Sequence, residues 1–253
     1  MVPEFSLEGQ VAVVTGAGRS IGRGTALALA DAGADVVAVA RTASEIERVC
    51  EEIRAKGRRA LAVQCDVSDE EAVDRMVSRT LEEFGRLDVL VANAGVFQDW
   101  KPSEQLTVAE WDVVVGINLR GVMLCCLAAG KAMIGNGGGS IVTVSSVAGL
   151  TALPNTLSYT AAKFGVVGLT KALAVDWAKH NVRVNCVAPG FVERDSEPLL
   201  DEPAVVEYVT SRTAVGRWGK PRELGLAITF LASPAASFIT GATLAVDGGW
   251  LAQ

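Results

Sequence analysis

Tyr159 and Lys163 stand four residues apart in a stretch patterned as a helix, which puts a phenol and an ammonium on one helical face. A phenol can give a proton to a developing alkoxide or, once ionised, take one from an alcohol, and a neighbouring cation favours the ionised form. Alone, a Y-x-x-x-K pair arises easily on any solvated helix. Its neighbours narrow the reading. Ser146 follows directly on the apolar run Ser140–Ser145, and its hydroxyl could hydrogen-bond a carbonyl oxygen as charge builds there. Asn93-Ala94-Gly95 closes the preceding apolar run, and Asn118 lies in the long helical pattern after it.

A second set has the chemistry of phosphate binding. Thr15-Gly16-Ala17-Gly18-Arg19-Ser20-Ile21-Gly22 follows the first apolar run and opens a helical pattern. Glycines there let the backbone turn sharply and approach a diphosphate closely, and the helix N-terminus presents free N–H groups to it. Gly16, Arg19, Ser20, Ile21 and Gly22 are therefore candidate ligands of a dinucleotide. The end of the second apolar run indicates which one. A free ribose 2′-hydroxyl usually meets a carboxylate at that place, but this chain has Ala40 followed by Arg41, with Arg19 in the turn. Two guanidinium groups suit a 2′-phosphate, because arginine grips phosphate bidentately. NADP(H) is expected in preference to NAD(H).

The elements that must position these groups alternate from end to end. Val11–Thr15, Asp35–Ala40, Ala60–Cys65, Leu87–Ala92, Ser140–Ser145, Arg183–Val187 and Thr243–Val246 are valine-rich and apolar on both faces, as strands of a covered parallel sheet are. Between them, Ile46, Val49, Cys50 and Ile53 share one helix face ahead of Gly57, and Ser68 with Glu71 forms a candidate capping box, repeated by Thr107 with Glu110. Strands alternating with helices predict an α/β fold: a Rossmann-type, doubly wound, seven-stranded parallel sheet with helices on both faces, in a single domain spanning 1–253. The stretch from about 190 to 215, with Pro198, Pro203 and several acids, has weak periodicity and is expected to form a lid over the substrate.

Composition excludes several classes. The chain has 253 residues, half of them hydrophobic, and a net charge of -6 without a basic run, which argues against nucleic acid as a partner. With one histidine, and five cysteines that form no C-x-x-C pair, the usual zinc and iron ligand sets are missing, and no metal is expected. The longest uninterrupted apolar stretch, Gly121–Gly130, is too short to span a bilayer, and Met1–Gln10 has no secretory pattern. No membrane partner is expected, and a reducing cytoplasm fits.

Taken together, these motifs resemble the short-chain dehydrogenase/reductase family over essentially the whole chain, from Val11 to Gly249. The resemblance rests on the turn Thr15–Gly22, Asp66, Asn93-Ala94-Gly95, Asn118, Ser146, Tyr159-x-x-x-Lys163, Pro189-Gly190 and Asp247-Gly248-Gly249. It implies hydride transfer between a nicotinamide cofactor and a ketone/secondary alcohol pair. Tyr159 would be the proton donor and acceptor, Lys163 would support it and bind ribose, Ser146 would steady the carbonyl oxygen, and Asn118 would hold a water leading to solvent. It also implies cofactor contacts at Asp66, Val67, Asn93, Ala94, Gly95, Pro189, Gly190 and Val192, besides Tyr159 and Lys163. The surfaces near Thr243–Val246 and along the helix of Tyr159 resemble those this family uses to form homotetramers.

Two positions depart from the family pattern. Ser20 replaces the middle glycine of the turn, where a small residue is expected to fit. Arg194 stands where the family often has a threonine that holds the nicotinamide carboxamide. The substrate pocket is expected to be lined by Val96, Phe97, Trp100, Val147, Leu150, Leu153 and Phe191, a wall suited to an apolar or aromatic ketone rather than a highly hydroxylated sugar. Alternatives within the family are a 3-oxoacyl-(acyl-carrier-protein) reductase and a sugar or polyol dehydrogenase. The first needs a basic docking patch that the uncharged turn Gly135–Gly139 does not offer. An enoyl reductase fits less well, because that group separates its tyrosine and lysine by more residues. A rival of another class is an NADP(H)-binding regulator without catalysis, which would have no need of the proton relay.

Overall fold

The computed structural model describes residues 2–97, 100–194 and 202–253. Seven strands, β1 (Val11–Thr15), β2 (Asp35–Ala40), β3 (Ala60–Gln64), β4 (Val89–Ala92), β5 (Gly139–Val144), β6 (Val182–Pro189) and β7 (Thr243–Val246), form one sheet in the order β3-β2-β1-β4-β5-β6-β7. Every pairing is parallel, with Val13 opposite Val37 on one side and Leu90 on the other. The helices that connect them are α1 (Ser20–Asp31), α2 (Ala43–Arg54), α3 (Glu70–Phe84), α4 (Val108–Val115), α5 (Val122–Gly135), α6 (Leu157–Trp177), α7 (Pro203–Arg212) and α8 (Pro221–Ala232).

Successive strand residues face opposite sides, so an apolar strand feeds two cores at once. Val11 and Val13 belong to the core beneath α3, α5 and α6, whereas Ala12 and Val14 belong to the core beneath α1, α2 and α8. Side chains such as Leu90, Ile141, Leu29 and Ile228 are fully buried, each contributing about 1.5–3 kcal/mol of transfer free energy. Helices α1 and α8 approach closely because glycine faces glycine: a Cβ on Gly225 would lie 2.7 Å from the Gly24 carbonyl oxygen. All five cysteines are buried free thiols. Burial pushes Cys50 and Cys65 up to about 11 and Cys126 up to about 12, so none of these is a ready thiolate.

Strand order reverses between β1 and β4. The connection after β1 runs outward to β2, and the one after β4 runs the other way to β5, which opens a crevice beyond the carboxyl ends of these strands. Thr15, Asn93, Ser146 and Gly190 all stand at that edge.

Several local expectations are corrected. The predicted bounds of β1, β2 and β7 hold, but β4 starts at Val89 rather than Leu87, and β6 runs on to Pro189. Helix α3 is capped by Asp69, which accepts from the N–H groups of Glu71 and Ala72, while Ser68 donates instead to Asp66. The Thr107–Glu110 box is present. Between α4 and α5, six residues, Gly116–Gly121, wind as a wider π turn, so Val108–Gly135 is one continuous helical run. By length and composition that run of 28 residues could cross a bilayer, unlike the shorter stretch seen in the sequence, and half of its apolar window is buried inside the protein. Within the expected lid, Pro203 begins a helix, α7, as proline can at a first helical position, while residues 195–201 lie outside the described residues.

Candidate active site

One cleft of about 430 Å³ runs along the carboxyl edge of the sheet. Its phosphate end is built by the turn after β1. Gly16 adopts φ +66°, and a Cβ there would stand 2.9 Å from Ala94 Cα; a Cβ on Gly22 would collide with the Gly16 carbonyl oxygen. Asn93 braces the turn by donating from Nδ2 to the carbonyls of Thr15 (2.9 Å) and Gly16 (3.3 Å), and the N–H groups of Asn93 and Ala94 both donate to Thr15 Oγ1. Among the described residues no side chain of the N-cap residue Arg19 closes the start of α1, so its first N–H groups are available to an anion. Ser20 has φ +45°. That is a left-handed conformation glycine adopts freely and serine only at a cost of roughly 1–2 kcal/mol. The serine fits in volume, as expected, but the position carries strain that its size did not reveal.

The next part of the cleft is charged. Arg19, Arg41, Glu45 and Asp66 line it together. Asp66 accepts from the Ser68 N–H at 2.9 Å and from the Ser68 hydroxyl at 2.7 Å, and these bonds, with help from Arg41, hold its carboxyl below the usual range. Gln64 Nε2 donates to the Arg41 carbonyl at 2.8 Å and fixes the end of β2 against β3. Glu45 and Cys65 were not expected here. Glu45 follows β2 by one helical turn and packs on Gly18, a proximity that only the folded turn creates.

At the other end, the reacting groups converge. Ser146 closes β5, and its Oγ accepts from the Ala148 N–H at 3.1 Å. The Lys163 ammonium is buried and donates to the Val144 carbonyl at 2.9 Å, and the Ser145 hydroxyl donates back to the Lys163 carbonyl at 2.9 Å. Lys163 Nζ lies 5.6 Å from the Tyr159 ring centre. Asn118, fully buried in the π turn, accepts from the Val96 N–H at 3.1 Å and donates to the carbonyls of Val96 (2.8 Å) and Val114 (3.1 Å). It reaches across Gly95: a Cβ there would be 2.5 Å from Asn118 Oδ1 and 3.7 Å from Lys163 Nζ. Asn118, Ser146, Tyr159 and Lys163 therefore share one cavity with the phosphate turn.

Aromatic rings wall the outer side. Phe97 meets Tyr159 edge-on at 4.9 Å and Trp100 at 5.7 Å. Phe191 stacks between Trp218 at 5.7 Å and Trp250 at 4.7 Å, and Trp250 in turn meets Tyr208 of α7. Val96, Val147 and Leu153 line the cleft as expected, as do Val67, Pro189, Gly190 and Val192; Leu150 does not, being turned outward. Trp218 was missed because it enters through a pairing of Val192 with Gly219, which no local signal announces.

The residues present fit a dinucleotide. Helix N–H groups, guanidinium groups and an aspartate are laid out along one crevice, with a glycine turn too close-packed to admit side chains.

Comparison with known proteins agrees with this layout. A family model described as enoyl-(acyl carrier protein) reductase matches residues 16–251. A cis-4-hydroxycyclohexanecarboxylate dehydrogenase of Sinomonas cyclohexanicum is 46% identical over 96% of this chain and 97% of its own. A 3-oxoacyl-(acyl-carrier-protein) reductase of Synechocystis sp. is 42% identical over 96% and 98%. The crystal structure of a gluconate 5-dehydrogenase from Burkholderia cenocepacia, in complex with NADP and tartrate, superposes with a TM-score of 0.94 at 35% identity, covering 99% of this chain and 98% of that one.

Proposed function

The chain belongs to the short-chain dehydrogenase/reductase family, whose members are oxidoreductases acting on CH–OH groups, and from that footing we propose that it interconverts a ketone and a secondary alcohol with NADP(H). The observation that carries this reading is the convergence of Tyr159, Lys163, Ser146 and Asn118 in the cavity that also holds the phosphate turn. When bound, the cofactor supplies or accepts the hydride. The chain's own residues manage the proton and the charge.

Ser146 Oγ faces the cleft and donates to the substrate oxygen, stabilising negative charge as it develops. Tyr159 gives its proton to that oxygen in reduction and takes it back in oxidation. The buried Lys163 ammonium, held in place by the Val144 carbonyl, supplies the positive field behind Tyr159 and a donor for a ribose hydroxyl. Asn118 shapes the loop at Gly95 and Val96 beside Lys163, along the route by which the proton is restored. Gly16, Ser20, Ile21 and Gly22 hold the diphosphate, with Asn93, Ala94 and Gly95 as the facing wall. Arg19 and Arg41 hold a 2′-phosphate, Asp66 and Val67 the adenine, and Pro189, Gly190 and Val192 the nicotinamide side.

The rings of Phe97, Trp100, Phe191 and Trp218, with Val96, Val147 and Leu153, favour an apolar or alicyclic ketone. The Sinomonas relative is named for an alicyclic secondary alcohol, the kind of body such a wall would hold. The short interval from Tyr159 to Lys163 supports C=O rather than C=C reduction. In this reading the chain acts as one domain in the cytoplasm, with α7 covering the substrate end. Exposed Leu157, Phe164 and Val175 on α6, and Leu244 on β7, support assembly as a homotetramer.

The test is a substrate panel of alicyclic ketones, sugar acids and a 3-oxoacyl thioester, followed at the absorbance of the reduced nicotinamide with NADH and with NADPH. The expected result is a higher kcat/KM for the alicyclic ketones and for NADPH, lost in Tyr159→Phe while cofactor affinity is retained. A sugar acid preferred over every apolar ketone would overturn the substrate class, and equal NADPH consumption by variant and parent would overturn catalysis by Tyr159.

A further inference from the structure

Arg194 is the cation of the cleft that the proposed chemistry leaves without a task. It lines the cavity on the wall formed after β6, ahead of the residues outside the description. Its place is fixed through the residue before it. The Glu193 N–H donates to the Gly219 carbonyl at 2.9 Å, and the Glu193 carbonyl accepts from Ser20 Oγ at 3.3 Å. Ser20 is the first residue of α1, so this contact sets Arg194 across the mouth of the helix N-terminus, one residue away from the phosphate turn.

The electrostatics of that spot are one-sided. A dinucleotide's diphosphate carries two full negative charges, whereas the turn offers N–H groups and the roughly half charge of a helix end. The other cations near the turn are committed elsewhere. Arg23 is bidentate to Glu52, and Arg41 stands at the end of β2 beside Asp66. No carboxylate among the described cleft-lining residues lies toward Arg194, since Glu45 and Asp66 belong to the adenosine end. We infer that Arg194 binds the diphosphate of the cofactor from the wall opposite the glycine turn, closing the phosphate site with a guanidinium that the turn itself lacks. The inference rests on the dinucleotide reading of the cleft given above.

The experiment titrates the full-length parent, Arg194→Met and Arg194→Lys with three probes by calorimetry: NADPH, 2′-phospho-ADP-ribose and 2′-AMP. The first two contain the diphosphate and the third does not. Arg194→Met should weaken NADPH and 2′-phospho-ADP-ribose by roughly ten- to a hundredfold, the loss of a charge-assisted bond, and leave 2′-AMP within about twofold. Arg194→Lys should recover part of the loss, because a point charge serves a phosphate without the fork. Equal weakening of all three probes would overturn the inference by showing a general change in the cleft. Unchanged NADPH affinity with a raised KM for an oxo acid would overturn it by giving the guanidinium to a substrate carboxylate. Failure of the parent to bind NADPH would sink the dinucleotide reading itself, whereas parent binding with an indifferent Arg194→Met removes only this residue's role.

Discussion

Asn118→Ala is the substitution whose cost the structure allows one to work out. The side chain makes three bonds to backbone groups, accepting from the Val96 N–H and donating to the Val96 and Val114 carbonyls, at 3.1, 2.8 and 3.1 Å. A buried group left without its partner costs about 1–3 kcal/mol. Val96 is only half-buried, so water recovers part of the loss on that side. The net cost is therefore about 2–4 kcal/mol, against a total stability of about 5–15 kcal/mol for a typical domain. For a chain of this size about 1 kcal/mol corresponds to ~2–4 °C, so the midpoint should fall by roughly 5–15 °C. Thermal unfolding followed by circular dichroism or calorimetry reads this directly. Asn118→Asp, nearly the same shape, should at neutral pH lose at least as much, because it turns a carboxylate toward two carbonyl oxygens. A midpoint within about 2 °C of the parent for Asn118→Ala would refute the argument that this amide holds the π turn to the Gly95 loop.

Two further outcomes follow from other contacts. Glu223 is held down at about 2, chiefly by its bond to Arg217 and then by the Lys220 N–H. A depressed carboxylate stabilises the fold above its ordinary value and loses that effect as pH falls. The midpoint difference between parent and Glu223→Gln should thus be largest near neutrality, at most about 2–4 °C for so exposed a pair, and shrink from about pH 4.5 to vanish near pH 2; a difference independent of pH would contradict it. Gly225→Ala places a Cβ 2.7 Å from the Gly24 carbonyl oxygen and 3.0 Å from Ala28 Cβ, so α1 and α8 must part. Overpacking of this kind costs about 1–3 kcal/mol, and melting should show it as a drop of several degrees.

Most of the fold was legible because its strands are apolar on both faces, and only a sheet covered by helices on both sides asks for that pattern. The seven runs of valine and alanine, and the order of glycine turn, Asn93, Ser146 and Tyr159 along the chain, needed no tertiary information. What escaped reading was set by contacts between distant segments. Ser68 and Asp69 are both good caps, and the choice went to Asp69 because Asp66 claims the Ser68 hydroxyl. The π turn at Asn118 depends on bonds to Val96, 22 residues earlier, which no helical period encodes. Pro203 suggested a loop and instead starts α7. Trp218 reaches the cleft only because Gly219 pairs with Val192. The strain at Ser20 is likewise a property of the closed turn rather than of the residue type.

The bonds around Lys163 have a mechanical corollary. Its ammonium is tethered to the Val144 carbonyl, and its own carbonyl to the Ser145 hydroxyl, so both ends of one side chain are moored to the last residues of β5. Ser146 extends from that same strand tip. A thermal shift or a neighbouring substitution that displaces the strand carries hydroxyl and ammonium along together, like two fittings bolted to one rail. Their mutual spacing is thereby insulated from drift elsewhere in the scaffold, leaving the outer walls free to be re-cut for different ketones without retuning the proton machinery.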